Sequence, residues 1–321
     1  MTEYRSSLAP YISGLIEQKK ACGYAYDYEA YVLESFDRFC IEENHTAETI
    51  TRDLVMRWAI QRPTERKNTR NQRVSFVRQL ALYMQSLGKK PYVPKHFASE
   101  TVEVPHVLSR AELVAFFAIV DTYRPPQPAF RRLVPTYRVL FRLFYCCGLR
   151  LAEGCYLHRC CLDLKRGTIK VLQSKGNKDR LVYLHDEVVG MCRNYDEAME
   201  KIAPEREWFF PGRRLDRPIR KTSVDKKFRE FWNSTPFAGK VDKKPTVQSL
   251  RHTFVVDKMN EWMEKGVGTT VMMPYLSRYL GHASISETQY YYHSIEQAFP
   301  IVRSRDTAAE KIIPEVMIYE D

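Results

Sequence analysis

No stretch of this 321-residue chain approaches the roughly 18 consecutive apolar residues that a membrane-spanning helix needs. Glu3, Glu17 and Asp27 stand where a secretory leader would carry its apolar core, so the chain is expected to stay in the cytoplasm, away from membranes. Glycine is scarce at 13 residues and no low-complexity tract occurs, which excludes collagen-like and disordered classes. The eight cysteines lack the spacing of a secreted disulfide framework: Cys146 adjoins Cys147 and Cys160 adjoins Cys161, which points to reduced thiols. Cys155, His158, Cys160 and Cys161 are of the right type for zinc but lack the distant second pair of a structural site, so they read as free cysteines buried after a helix. No metal is expected at these residues.

What is present fits an ordinary globular protein, with 44% hydrophobic and 28% charged residues. The length exceeds one typical hydrophobic core and suits two. A net charge of +11 favours an anionic partner, nucleic acid or an acidic membrane surface. That charge is uneven. Met1 to Met56 holds five Lys or Arg against ten acids, whereas Arg57 to Lys95 holds ten basic residues against Glu65 alone. A DNA backbone would attract the second block, and Arg66, Arg70 and Arg73, at helical spacing within it, are the candidate DNA contacts of the N-terminal half.

Val77, Leu80, Ala81, Met84 and Leu87 form one apolar stripe of a helix that Gly88 ends. Leu8 to Lys20, Tyr28 to Cys40 and Thr51 to Ile60 also read as helices, giving an N-terminal bundle over residues 1–95. Pro91, Pro94 and Pro105 punctuate an aperiodic stretch; residues 96–107 are taken as the linker and 108–321 as the second domain. Ser109 with Glu112 is a capping box opening a helix, and Tyr137 to Cys147 is a strongly apolar one. Thr168 to Gln173 and Arg180 to His185 flank Ser174-Lys175-Gly176-Asn177-Lys178-Asp179 and predict a β-hairpin with a basic tip. Lys221 to Trp232, Leu250 to Met263, Met273 to Leu280 and Gln297 to Val302 are helical stretches of a mainly helical remainder. The expected fold class is mainly α with a small antiparallel β-sheet.

Breaking a phosphodiester without a metal requires a nucleophile, cations fixed on the non-bridging oxygens and an acid for the departing oxygen. The second domain offers candidates for all three. Gly148-Leu149-Arg150-Leu151-Ala152-Glu153 puts an arginine at a turn into a helix, with a carboxylate three residues on to orient it. Ser249-Leu250-Arg251-His252-Thr253-Phe254 supplies a second arginine; Tyr279-Leu280-Gly281-His282 ends a helix on a histidine, and Tyr291 follows in Thr288-Gln289-Tyr290-Tyr291-Tyr292-His293. Taken singly, each has a plainer reading as a surface ion pair, a helix cap or aromatic core.

Their order and spacing in one chain closely resemble the phage integrase or tyrosine recombinase family, over about the last two thirds of the chain. The resemblance implies a two-domain clamp on duplex DNA and an enzyme that cuts and rejoins DNA through a 3' phosphotyrosine, without ATP or metal. Arg150 and Arg251 would clamp the scissile phosphate as forked donors, Glu153 would hold Arg150, and Tyr291 would be the nucleophile, with Tyr290 and Tyr292 as competitors by type. Lys175 would protonate the leaving 5' oxygen, with Lys178 as the alternative and otherwise a DNA contact. His282 would hydrogen-bond the phosphate or buttress the nucleophile. Gln248 stands where the family usually has histidine and cannot shuttle a proton, so a catalytically impaired DNA-binding relative is one alternative. A type IB topoisomerase-like enzyme is another. Pro274 to His282 and the longer interval before His282 look like the subgroup carried on transposons and integrative elements. The partners so implied are double-stranded recombination sites, further copies of the chain, as a tetramer on DNA, and accessory proteins.

Overall fold

The computed structural model describes residues 4–95, 105–174, 178–282 and 284–289. The chain divides into two units, Met1–Glu103 and Val104–Asp321. In the first, four helices form because their apolar residues recur at helical spacing: α1 (Ala9–Ala21), α2 (Asp27–Glu42), α3 (Arg52–Trp58) and α4 (Lys67–Ser86). Ile12, Leu15, Phe36, Trp58, Val77, Leu80 and Met84 make its core. The stripe on α4 is buried from Val77 to Met84, but Leu87 is exposed because α4 closes at Ser86 and Leu87 is its cap.

The second unit begins with α5 (Arg110–Thr122), whose Ser109–Glu112 capping box forms as expected. It continues with α6 (Leu133–Cys146), α7 (Leu151–Cys155), β1 (Leu162–Asp163), β2 (Thr168–Ser174), β3 (Lys178–Tyr183), α8 (Asp186–Glu200), α9 (Lys221–Asn233), α10 (Val247–Glu264), α11 (Thr269–Leu280) and α12 (Ser286–Gln289). Phe116 of α5, Phe141 of α6 and Phe228 and Phe231 of α9 interlock at the centre, with the Phe116 and Phe228 rings 4.9 Å apart. A smaller apolar cluster joins α10 to α11 through Phe254, Val255, Met259, Leu276 and Leu280. The fold is mainly α with a small antiparallel sheet, ordered β1-β2-β3.

The register of that sheet decides what its arginine does. Ile169 pairs with Val182 and Val171 with Arg180, while Lys170 pairs with Leu181. Ile169, Val171 and Val182 are buried; Leu172, Leu181 and Tyr183 are exposed. Strand side chains alternate faces, so Arg180 is directed inward with Val171, and a slip of one residue would send it to solvent.

Three expectations shift. Helix α10 starts at Val247, capped by Thr246 and Ser249, so Gln248 lies in its first turn. Helix α11 starts at Thr269 with Pro274 inside it; a proline there removes one backbone donor, yet its φ suits a helix. Of the cysteines expected to be buried, Cys155 is, but Cys160 is exposed. Among the described residues, no helix is long and apolar enough to cross a membrane.

Candidate active site

Gly148 turns the chain from α6 toward α7 with φ +60, a conformation that L side chains rarely adopt, and a Cβ there would lie 2.7 Å from the Phe254 ring. Arg150 follows as the extended N-cap of α7, and Glu153, at the third helical position, reaches back to it. The Glu153 carboxylate accepts the Arg150 backbone N–H at 2.8 Å and Arg150 Nη1 at 2.9 Å. It also accepts Arg180 Nη1 on Oε1 at 2.8 Å and Arg180 Nη2 on Oε2 at 2.7 Å. The side chains of Glu153 and Arg180 are each only 6% exposed, so this carboxylate is a buried hub joining α7 to β3.

Arg251, on α10, is 1% exposed. A guanidinium taken so far from water must have its donors satisfied. Arg251 Nη1 donates to the carbonyl of Gly148 at 2.6 Å, and Nη2 to the carbonyl of Leu280 at 2.9 Å and to His282 Nε2 at 3.0 Å. Arg150 Nη2 donates to the carbonyl of Gly281 at 2.8 Å. The Leu280-Gly281-His282 turn therefore receives both arginines, although its residues lie 131 positions from Arg150 and 29 from Arg251.

The histidine tautomer follows. A guanidinium cannot accept a hydrogen bond, so His282 Nε2 is the acceptor from Arg251. Its proton then sits on Nδ1, which lies 2.7 Å from the hydroxyl of Thr288, a fully buried residue of α12. His252, next to Arg251 in sequence, is pushed down to about 4, first by burial and then by Arg251 and Lys243, so it adds no charge at neutral pH. Of the side chains of Arg150, Arg180, Arg251 and Glu153, three are cations and one an anion, leaving a net of +2. Such a cluster is suited to an anion such as phosphate.

Arg150, Glu153, Arg251 and His282 thus converge. Gln248 lies one helical turn before Arg251, half-buried. Lys178 opens β3. Lys175 and Tyr291 lie outside the described residues, as do Tyr290, Tyr292 and the segment Gln297 to Val302. In the N-terminal unit Arg66 is exposed at the start of α4 and Arg70 is half-buried, with Nη2 donating to Asn71 at 3.0 Å.

Arg73 is a correction: it is not available to DNA. It is 5% exposed, holds Glu65 at 2.7 and 2.9 Å, donates to the carbonyls of Trp58 and Ile60, and stacks on the Trp58 ring. The one acid of the basic block is therefore the partner of one of its arginines, and that bond holds the Glu65 carboxyl below the usual range.

The sequence reading did not single out Arg180 and Thr288. Arg180 directly follows the basic tip Ser174 to Asp179, and its place opposite Val171 is the signal that it points inward. Thr288 gives no signal in sequence beyond its interval from His282.

Residues 107–298 match the phage integrase family. A protein named as an integrase/recombinase, y4rE of Sinorhizobium fredii, is 28% identical over 91% of this chain and 93% of its own. The tyrosine recombinase XerC of Chlamydia muridarum is 25% identical over 72% of this chain and 68% of its own. Among solved structures, the XerH site-specific recombinase on palindromic difH substrate superimposes with a TM-score of 0.64 at 18% identity, over 86% of this chain and 78% of that one. The Tn1549 transposon integrase in complex with transposon right end DNA gives 0.63 at 16%, over 94% and 99%. These two share the fold.

Proposed function

The chain belongs to the phage integrase family, and from that premise we propose that it is a site-specific DNA recombinase that cuts and rejoins duplex DNA through a 3' phosphotyrosine on Tyr291. The observation that carries this reading is the meeting of Arg150 and Arg251 on the Leu280-Gly281-His282 turn. No surface ion pair needs two arginines from distant segments anchored on one turn; a phosphate clamp does.

In the reaction, Arg150 and Arg251 bind the non-bridging oxygens and offset the charge that builds on the phosphorane. A tyrosine in water titrates near 10, so Tyr291 attacks phosphorus as its proton passes to solvent, with those cations stabilising the phenolate. The P–O5' bond breaks, Lys175 gives its proton to the departing oxygen, and a 3' phosphotyrosine and a free 5' hydroxyl result. Attack by a partner strand's hydroxyl reverses the step and conserves the number of phosphodiester bonds. When Arg251 turns to the phosphate, His282 Nε2 loses that donor and takes up a proton, and as an N–H it donates to a non-bridging oxygen. Gln248 supplies a neutral hydrogen bond. The enzyme works on two paired sites as four protomers. Arg66 and Arg70, with Lys178 on the other unit, contact the DNA backbone, and the transposon integrase likeness favours the mobile-element subgroup.

Covalent trapping tests this. On nicked suicide duplexes built from the DNA flanking its gene, the chain should form a denaturation-resistant adduct that Tyr291→Phe abolishes. An adduct seen only with Gln248→His would mean an impaired recombinase. DNA binding with no adduct from any version would replace this reading with that of a silent DNA-binding relative, which Gln248 is the one observation to favour.

A further inference from the structure

We propose that Arg180 is a positioning residue of the phosphate clamp, setting the orientation of Arg150 through Glu153. The proposal rests on the functional reading above and adds a residue to it. Arg180 is buried on the inner face of the sheet, and both of its terminal nitrogens are bonded to Glu153, one to each carboxylate oxygen. The same two oxygens hold Arg150, by its backbone N–H on Oε2 and by Nη1 on Oε1. Arg180 therefore fixes the plane of the carboxylate, and the carboxylate fixes the plane of Arg150.

A second contact comes from the turn that receives Arg150. Gly281, whose carbonyl receives Arg150 Nη2, packs so closely on Arg180 that a Cβ there would lie 3.2 Å from Arg180 Cδ and Nη1. Arg150 is thus set at one end by a carboxylate that Arg180 orients and at the other by a turn that Arg180 supports. A fold needing only a buried ion pair would be served by Glu153 with either arginine. What two arginines on one carboxylate add is directional: Glu153 cannot rotate to follow Arg150, so Arg150 keeps its direction when a phosphate arrives.

Arg180→Met and Arg180→Lys separate this from a purely structural role. Both leave Glu153 paired with Arg150, and melting curves set the assay temperature below each variant's transition. DNA affinity should stay within about threefold of wild type while single-turnover cleavage of the suicide duplex falls about 100-fold, the scale of loss expected from a small misplacement of a clamping group. The deciding substrate carries a methyl group in place of one non-bridging oxygen of the scissile phosphate. With one negative charge fewer, its reaction depends less on the clamp, so the Arg180 defect should shrink to about tenfold or less. An equal defect on both substrates, or cleavage unchanged on the normal one, would overturn the assignment. No adduct from the wild-type chain on the normal duplex would instead overturn the functional reading, and this assignment with it.

Discussion

Replacing Glu153 with glutamine changes one atom and no volume, yet the geometry predicts a large loss. Each oxygen of the carboxylate accepts two donors: Oε1 from Arg150 Nη1 and Arg180 Nη1, Oε2 from the Arg150 N–H and Arg180 Nη2. Whichever way the amide is turned, its NH2 faces two donors, and two guanidinium groups lose their counter-charge. Breaking a buried pair in this way costs about 3–5 kcal/mol, against at most about 1 kcal/mol for an exposed one. For a unit the size of Val104–Asp321, 1 kcal/mol moves the melting temperature by about 2–4 °C, so Glu153→Gln should lower the transition of this unit by about 6–20 °C. Differential scanning calorimetry of the full chain reads this directly. Because the pair is screened little by salt, most of the shift should persist in 1 M salt. A shift under about 3 °C, or one that salt abolishes, would refute the argument that the hub is buried and shared.

Gly281→Ala places a side chain at φ +65 against Arg180 and should cost about 1–2 kcal/mol from the backbone alone, visible as a lower melting temperature, with cleavage reduced further as both arginines shift. Arg66→Ala should reduce the magnitude of the slope of log DNA affinity against log salt by about one and leave melting unchanged, as expected for one lost phosphate contact. Arg73→Ala should do the opposite, destabilising the N-terminal unit by about 3–5 kcal/mol through the stranded Glu65 and leaving the slope alone. His252, lowered in the fold from 6.5 to about 4, binds its proton more readily when unfolded. Its contribution, at most about 3 kcal/mol, is therefore complete above about pH 6.5 and is lost as pH falls toward 4; His252→Gln should flatten denaturant midpoints across that range.

Much of this was legible in the chain because local rules decide it. The Ser109–Glu112 box, the apolar face of α4 and the alternation of Ile169, Val171 and Val182 are short-range patterns, and the structure follows them. Helix α8 was not singled out, although Val188, Val189, Cys192, Tyr195 and Met199 are buried at helical spacing, because the acidic residues among them mask the stripe. Arg73 shows where reading by charge alone fails. Arg66 and Arg73 differ little in sequence, and only the packing of α3 against α4 determines that one meets solvent and the other Trp58 and Glu65. Arg180 was hidden for the converse reason: its role depends on strand register, and the hairpin fixes that register only once its bulge between Val171 and Ser174 is known.

The anchors of Arg251 and Arg150 are largely main-chain carbonyls, those of Gly148, Leu280 and Gly281. A carbonyl survives every substitution of the side chain beside it, provided the backbone keeps its turn, and Gly148 and Gly281 secure two of those turns with positive φ. The aim of the cationic groups is thus insulated from variation over most of the surface. Descendants of such a chain can change which DNA they recognise, residue by residue, without having to rebuild the machinery that acts on it.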